Sequence, residues 1–309
     1  MYKIMSAEKY DSEAKTLLKA IQDKDKKAVI ALCLRTTNDD RLKILNAYKD
    51  LYNQDLLGNF KNIFKDNFLK TLIALFTEPI EYDVNELKEA INTKNVDTLI
   101  EIIASRPQEI LKQIKDKYNN KYKSDLIKDV KSKTSGVVEQ ILISLLECKR
   151  STNEHPNEDQ IKKIAEELLK AGEGQILTDK PVFIKYFCCL SPEEIKQLDI
   201  EYREVNYYHH TIYIAIEKNF GGDEKNVLLT VARSNINPSL YYAIRAYKAL
   251  DNSNNNILIR VLVSRSDKDM AKINDEYKER YGKEFYETVK EKITKSGDYR
   301  ALILGIIDK

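Results

Sequence analysis

Apolar residues along the chain recur at steps of three and four, which puts them on one face of a helix and predicts helices throughout. The clearest instance is an aliphatic residue followed at four-residue steps by two tyrosines. It occurs at Ile44, Tyr48 and Tyr52, recurs 70 residues on at Ile114, Tyr118 and Tyr122, and returns at Ile273, Tyr277 and Tyr281. A degraded copy reads Leu198, Tyr202, Asn206. A second block, Phe68 to Leu75, maps by the same 70-residue shift onto Val138 to Leu145, with relatives at Lys225 to Ala232 and Tyr299 to Ile307. A third opens on aliphatics and ends on arginine: Val29 to Arg35, Leu99 to Arg106, and Leu258 to Arg265.

Separate blocks sharing one offset establish a fourfold internal repeat. The units run over 11–80, 81–150, 160–238 and 239–309, behind a short N-terminal segment, 1–10, with a linker at 151–159. Each unit holds several amphipathic segments too short to be stable alone, so stability comes from packing them together. Around the linker, Lys149 to Asp159 shows no apolar periodicity and reads as exposed.

Composition narrows the classes. Nine glycines and six prolines in 309 residues are too few turn formers for a β-sandwich or barrel. The 51 basic and 49 acidic side chains nearly cancel, which argues against a nucleic-acid partner. No stretch approaches the roughly 18 apolar residues of a membrane-spanning helix, and the start carries no apolar signal core. Cys33, Cys148, Cys188 and Cys189 form no C-x-x-C pair, which fits a reducing cytosol. There is no Walker loop, dinucleotide fingerprint or nucleophile with an oriented base, so no enzyme activity is assigned. His209 and His210, taken as neighbours on a helix, point about 100° apart and do not converge on one metal ion.

The four repeats near 70 residues, the linker after the second, and two stretches in particular resemble the annexin family. Ile100-Glu101-Ile102-Ile103-Ala104-Ser105-Arg106 is similar to its second repeat. Leu258 to Ser266, with Ser296-Gly297-Asp298-Tyr299-Arg300 downstream, is similar to its fourth. The resemblance implies an all-α fold, four repeats of five helices forming a curved disc, whose convex-face loops meet acidic phospholipid membranes through calcium. Within the family, the eroded loops resemble the divergent protozoan annexins of the alpha-giardin type.

The family's calcium site combines carbonyls of a Gly-x-Gly-Thr loop with one acidic side chain from a later loop. Calcium demands six to eight oxygens, and glycine lets the chain turn its carbonyls inward. Here the first, second and fourth repeats shorten that loop and lack its glycines, as at Ala20 to Lys27. Only Ala171 to Asp179 keeps the length, with Leu177 replacing the glycine before Thr178. The acidic positions fall on Ile63, Lys133, Asn219 and Thr294, none a carboxylate. The resemblance leaves Ile21, Asp23, Asp25, Gly172, Gln175, Asn219 and Asp251 as groups that weak, non-standard calcium sites would use. For Asp23 and Asp25 the alternative is a solvated turn and a helix N-cap.

Lysines Lys24, Lys94, Lys133 and Lys295 fall in or beside the membrane-facing loops of the family. Each such charge near an anionic bilayer contributes about 1 kcal/mol, although a chain 32% charged puts lysines everywhere. Glu101, Arg106, Arg260 and Arg265 match residues of the family's central channel, where paired charges are as readily structural as conductive. The expectation is a cytoplasmic, peripheral protein at the inner face of the plasma membrane, binding acidic phospholipids with weak calcium dependence. The alternative is a calcium-independent scaffold linking membrane and cytoskeletal proteins.

Overall fold

The computed structural model describes residues 7–173, 177–294 and 297–309. Among them there are twenty α-helices and no strand. The first five are α1 (Ala7–Gln22), α2 (Lys26–Arg35), α3 (Asn38–Tyr52), α4 (Leu56–Ile63) and α5 (Asp66–Leu75). The next five are α6 (Pro79–Thr93), α7 (Val96–Ser105), α8 (Gln108–Tyr122), α9 (Leu126–Lys131) and α10 (Gly136–Leu146). Then come α11 (Glu158–Gly172), α12 (Lys180–Cys189), α13 (Pro192–Val205), α14 (Ile212–Asn219) and α15 (Gly222–Ile236). The last are α16 (Pro238–Asp251), α17 (Asn255–Arg265), α18 (Met270–Tyr281), α19 (Phe285–Lys292) and α20 (Asp298–Ile307). Four rounds of five helices follow the repeat seen in the sequence.

The tyrosine pairs explain the periodicity. Tyr48, Tyr118, Tyr202 and Tyr277 are fully buried, each on the third helix of its round. In three rounds the second tyrosine meets the first edge-on or tilted, with ring centroids 5.0–5.1 Å apart for Tyr48–Tyr52, Tyr118–Tyr122 and Tyr277–Tyr281. The four-residue step places the two rings one turn apart on one stripe. Two of the four hydroxyls reach polar partners at the margin: Asn59 donates to Tyr48 at 2.9 Å, and Tyr118 donates to Asp129 at 2.8 Å.

The chain divides into two compact units. One joins the residues up to Tyr82 with Tyr242–Lys309, so the first and last rounds share a core. In it α1 packs on α2 and α3, and α2 and α17 pack against α20 and α5. Its deepest charge is Arg41, 1% exposed, which donates to the carbonyls of Leu75, Cys33 and Thr36 and to Asp267. The other unit is Asp83–Tyr241, in which α11 packs on α13 and α12, and α7 packs on α15 and α10.

The segment between α10 and α11 is exposed for most of its length but tied down. Ser151 donates its N–H to Cys189 at 2.7 Å, the Arg150 guanidinium reaches the Leu190 carbonyl at 2.9 Å, and Ser191 donates to the Asn153 carbonyl at 2.6 Å. One expectation needs correction. His209 and His210 lie in the turn after α13 and not on a helix, with His209 at φ 51°. The rings still part company. His209 Nδ1 lies 3.0 Å from the Arg203 carbonyl, and His210 Nδ1 lies 3.0 Å from Glu173.

Candidate ligand-binding turns

Three of the four turns joining the first and second helix of a round are built alike. After α1, Lys24 takes a left-handed φ of 55°; its N–H returns to Ile21 at 3.2 Å, and the Asp25 N–H returns to Ala20 at 2.8 Å. After α6, Lys94 takes φ 55°, with its N–H on Ile91 at 3.4 Å and the Asn95 N–H on Ala90 at 2.8 Å. After α16, Ser253 takes φ 54°, its N–H on Leu250 at 3.2 Å and the Asn254 N–H on Ala249 at 2.7 Å. This is a Schellman ending, which satisfies the last carbonyls of a helix from within the turn. The residue after the left-handed corner then caps the next helix. Asp25 accepts from Ala28 at 3.1 Å, Asn95 from Thr98 at 3.0 Å, and Asn254 from Ile257 at 3.2 Å.

These turns spend part of their oxygens internally. The Ile21 carbonyl serves Lys24 and the Asp25 carboxylate serves α2, leaving Asp23 exposed beside them. Asp251, at the end of α16, accepts from the Lys292 ammonium at 3.1 Å, so a side-chain cation already sits on that carboxylate. Lys24 and Lys94 stand exposed at their corners, and Lys133 is half-buried in the α9–α10 turn. Lys295 and Gln175 lie outside the described residues.

The longer α11–α12 turn closes differently. Asn219, at the end of α14, accepts from the Thr178 hydroxyl at 2.8 Å and donates its own amide to the Ala215 carbonyl at 2.8 Å. A methyl group on Gly172 would meet that amide at 3.0 Å, so the absent side chain is what lets Asn219 sit there. Lys180 pairs with Glu224 at 2.7 Å across the same end of the unit. Tested against calcium, the turns offer no acidic cage among the described residues. No group of three or more His, Cys, Asp or Glu side chains converges among the described residues. The Ile21, Ile91 and Leu250 carbonyls accept from within their own turns, and the positions that the resemblance implies for the acidic partner carry Ile63, Lys133, Asn219 and Thr294.

The residues matched to a channel are buried or tethered. Glu101 on α7 and Arg260 on α17 occupy the same position of their rounds and are 2% and 3% exposed. Arg106 grips Asp83 through two nitrogens at 2.7 and 2.9 Å. Arg265 does the same with Asp269 at 2.7 and 2.5 Å while its guanidinium covers the Tyr242 ring at 4.5 Å. Such two-pronged bonds fix the guanidinium in one orientation.

A model of the family described as Annexin matches residues 12–75, 82–145 and 241–306. The chain belongs to the annexin family. It is 32% identical over 300 residues to annexin A11 of Homo sapiens, covering 95% of this chain and 59% of that protein. The chain thus spans rather more than half the length of that relative. The solved structure of annexin III superposes with a TM-score of 0.90 at 29% identity, over 100% of this chain and 95% of the other. The calcium-bound structure of alpha-14 giardin superposes with a TM-score of 0.83 at 14% identity, over 95% and 98%, a likeness of fold. The family model leaves out the third round, the one whose tyrosine motif is degraded and whose first turn is long.

Two lysines that matter to these turns escaped the sequence reading: Lys65 and Lys70, on either side of the start of α5. So did the pairing of Lys26 with Asp298 at 2.8 Å. The partners stand 272 residues apart, and no local pattern joins them.

Proposed function

We propose that this annexin is a peripheral membrane protein that binds acidic phospholipids through its interhelical turns, with weak dependence on calcium. The observation that supports this reading is the Lys292–Asp251 pair beside the closed Schellman turns. The Lys292 ammonium neutralises the Asp251 carboxylate beside the turn, while exposed Lys24 and Lys94 offer charge to an anionic surface. No helix among the described residues is long and apolar enough to cross a membrane. Calcium contributes little because the Asp25 carboxylate caps α2 and the Asp251 carboxylate carries an ammonium.

Co-sedimentation with phosphatidylserine liposomes tests this. The protein pellets with acidic and not with neutral liposomes, and calcium increases the pelleted fraction modestly. Failure to pellet with acidic liposomes, with or without calcium, rejects the reading. The second reading, a calcium-independent scaffold between membrane and cytoskeletal proteins, is favoured by Lys133, which puts a positive charge where the family has an acid. It predicts binding indifferent to a chelator and lost in moderate salt.

A further inference from the structure

Within the unit formed by the first and last rounds lies an open cavity of about 900 Å³. Its walls come from the α4–α5, α16–α17 and α19–α20 turns and the start of α2. That volume is within the range of small-molecule sites. Four lysines and two aspartates line it, so its net charge is positive.

Two of those lysines have no counter-charge among the described residues. Lys65 has the Lys61 carbonyl of its own segment at 3.5 Å, a marginal contact, and Lys70 donates to the Asn256 amide oxygen at 3.0 Å. The other two are paired, Lys26 with Asp298 and Lys292 with Asp251. Opening from the cavity is a notch of about 340 Å³ lined by Asn67 and Asn252–Asn256, with Ser253 among them. There the amide oxygens are committed: Asn254 to the Ile257 N–H, Asn255 to the Tyr299 hydroxyl at 2.8 Å, and Asn256 to Lys70. Their NH₂ groups have no acceptor among the described residues, so this wall presents donors.

Ammonium groups and amide donors suit the oxygens of a phosphate. Asp66, also on the lining, is repelled by a bare phosphate and accepts from a hydroxyl. Phe64, Phe68 and Leu258 add an apolar surface for the C–H face of a ring. We propose that this cavity is a calcium-independent site for a phosphorylated polyol, phosphate toward Lys65 and Lys70 and hydroxyls toward Asp66 and the asparagine wall. Insofar as the polyol is carried by an inositol phospholipid, the site rests on the membrane reading above and names the lipid class.

The test uses the full chain in chelator, with soluble inositol trisphosphate followed by calorimetry. Its comparison variants are Lys65→Gln/Lys70→Gln and Lys162→Gln/Lys163→Gln, two pairs of exposed lysines with the same loss of charge. The soluble ligand is expected to bind the wild type, about tenfold or more weaker to the first variant, and equally to the second. No binding, or equal weakening in both variants, overturns the proposal. Vesicles of phosphatidylcholine with phosphatidylinositol bisphosphate, and separately with phosphatidylserine, distinguish the sources. Pelleting with the inositol lipid, displaced by the soluble ligand, assigns a lipid headgroup. Soluble binding without pelleting on either vesicle keeps the site, assigns a free inositol phosphate and removes the membrane reading. Pelleting with phosphatidylserine without soluble binding does the reverse.

Discussion

Arg41→Met removes a buried charged side chain whose bonds hold several helix ends of the first and last rounds together. The guanidinium donates to Leu75 at 2.9 Å, Cys33 at 3.0 Å, Thr36 at 2.5 Å and Asp267 at 3.1 Å. An unsatisfied buried acceptor costs about 1–3 kcal/mol, so three abandoned carbonyls set an upper bound near 9 kcal/mol. Two keep a second partner: Leu75 retains the Asn38 amide at 3.0 Å, and Thr36 retains the Lys309 ammonium at 3.2 Å. Asp267 likewise keeps Lys309 at 3.1 Å and the Asn38 N–H at 2.8 Å. The full cost therefore falls on Cys33 and on the lost charge pair. The expected loss is about 3–4 kcal/mol, at the low end for breaking a buried pair. Arg41→Lys recovers part of it, because an ammonium cannot span the same fork of acceptors. Urea unfolding followed by far-ultraviolet circular dichroism measures both. A change below about 1 kcal/mol for the methionine variant refutes the claim that Arg41 holds these helix ends.

Burial pushes the Tyr277 hydroxyl up to about 12 from its ordinary 10. The fold favours the protonated form, so its contribution is complete below pH 10 and is lost as pH rises from 10 to about 12. Tyr277→Phe should flatten that alkaline fall in an unfolding series. With Ellman's reagent, exposed Cys189 should react promptly. Cys33 and Cys188, whose thiols burial pushes up to about 11 and 12, should react only after denaturation, and prompt reaction of all four would contradict their burial. Asn219→Glu puts a carboxylate opposite the longest turn and should sharpen calcium dependence about tenfold in liposome binding. An unchanged calcium midpoint would show that the carbonyls of that turn, and not the missing acid, set the limit.

The fold was largely legible in the chain because helix packing leaves a local trace. The tyrosine step of four survives in sequence since the two rings must meet on one stripe. Arg41 had a trace too. It lies three residues before Ile44 and seven before Tyr48, on the buried face, and the amphipathic pattern alone could have marked it. The turn at His209 was harder, since Asn206 to Thr211 contains no glycine or proline to break a helix. For Asp25 the capping role was already one of two readings, and the Ala28 bond satisfies it locally. The cavity was not legible. Asn256 meets Lys70 across 186 residues, and such meetings depend on how whole rounds pack.

The left-handed corners at Lys24 and Lys94 bear on timing. A binding turn that an ion must organise stays idle until the ion arrives, and so reports a pulse. A corner already locked by its own backbone has no such waiting state. On the proposed reading, attachment would follow the composition and charge of the bilayer, changing over the life of a membrane rather than the span of a signal.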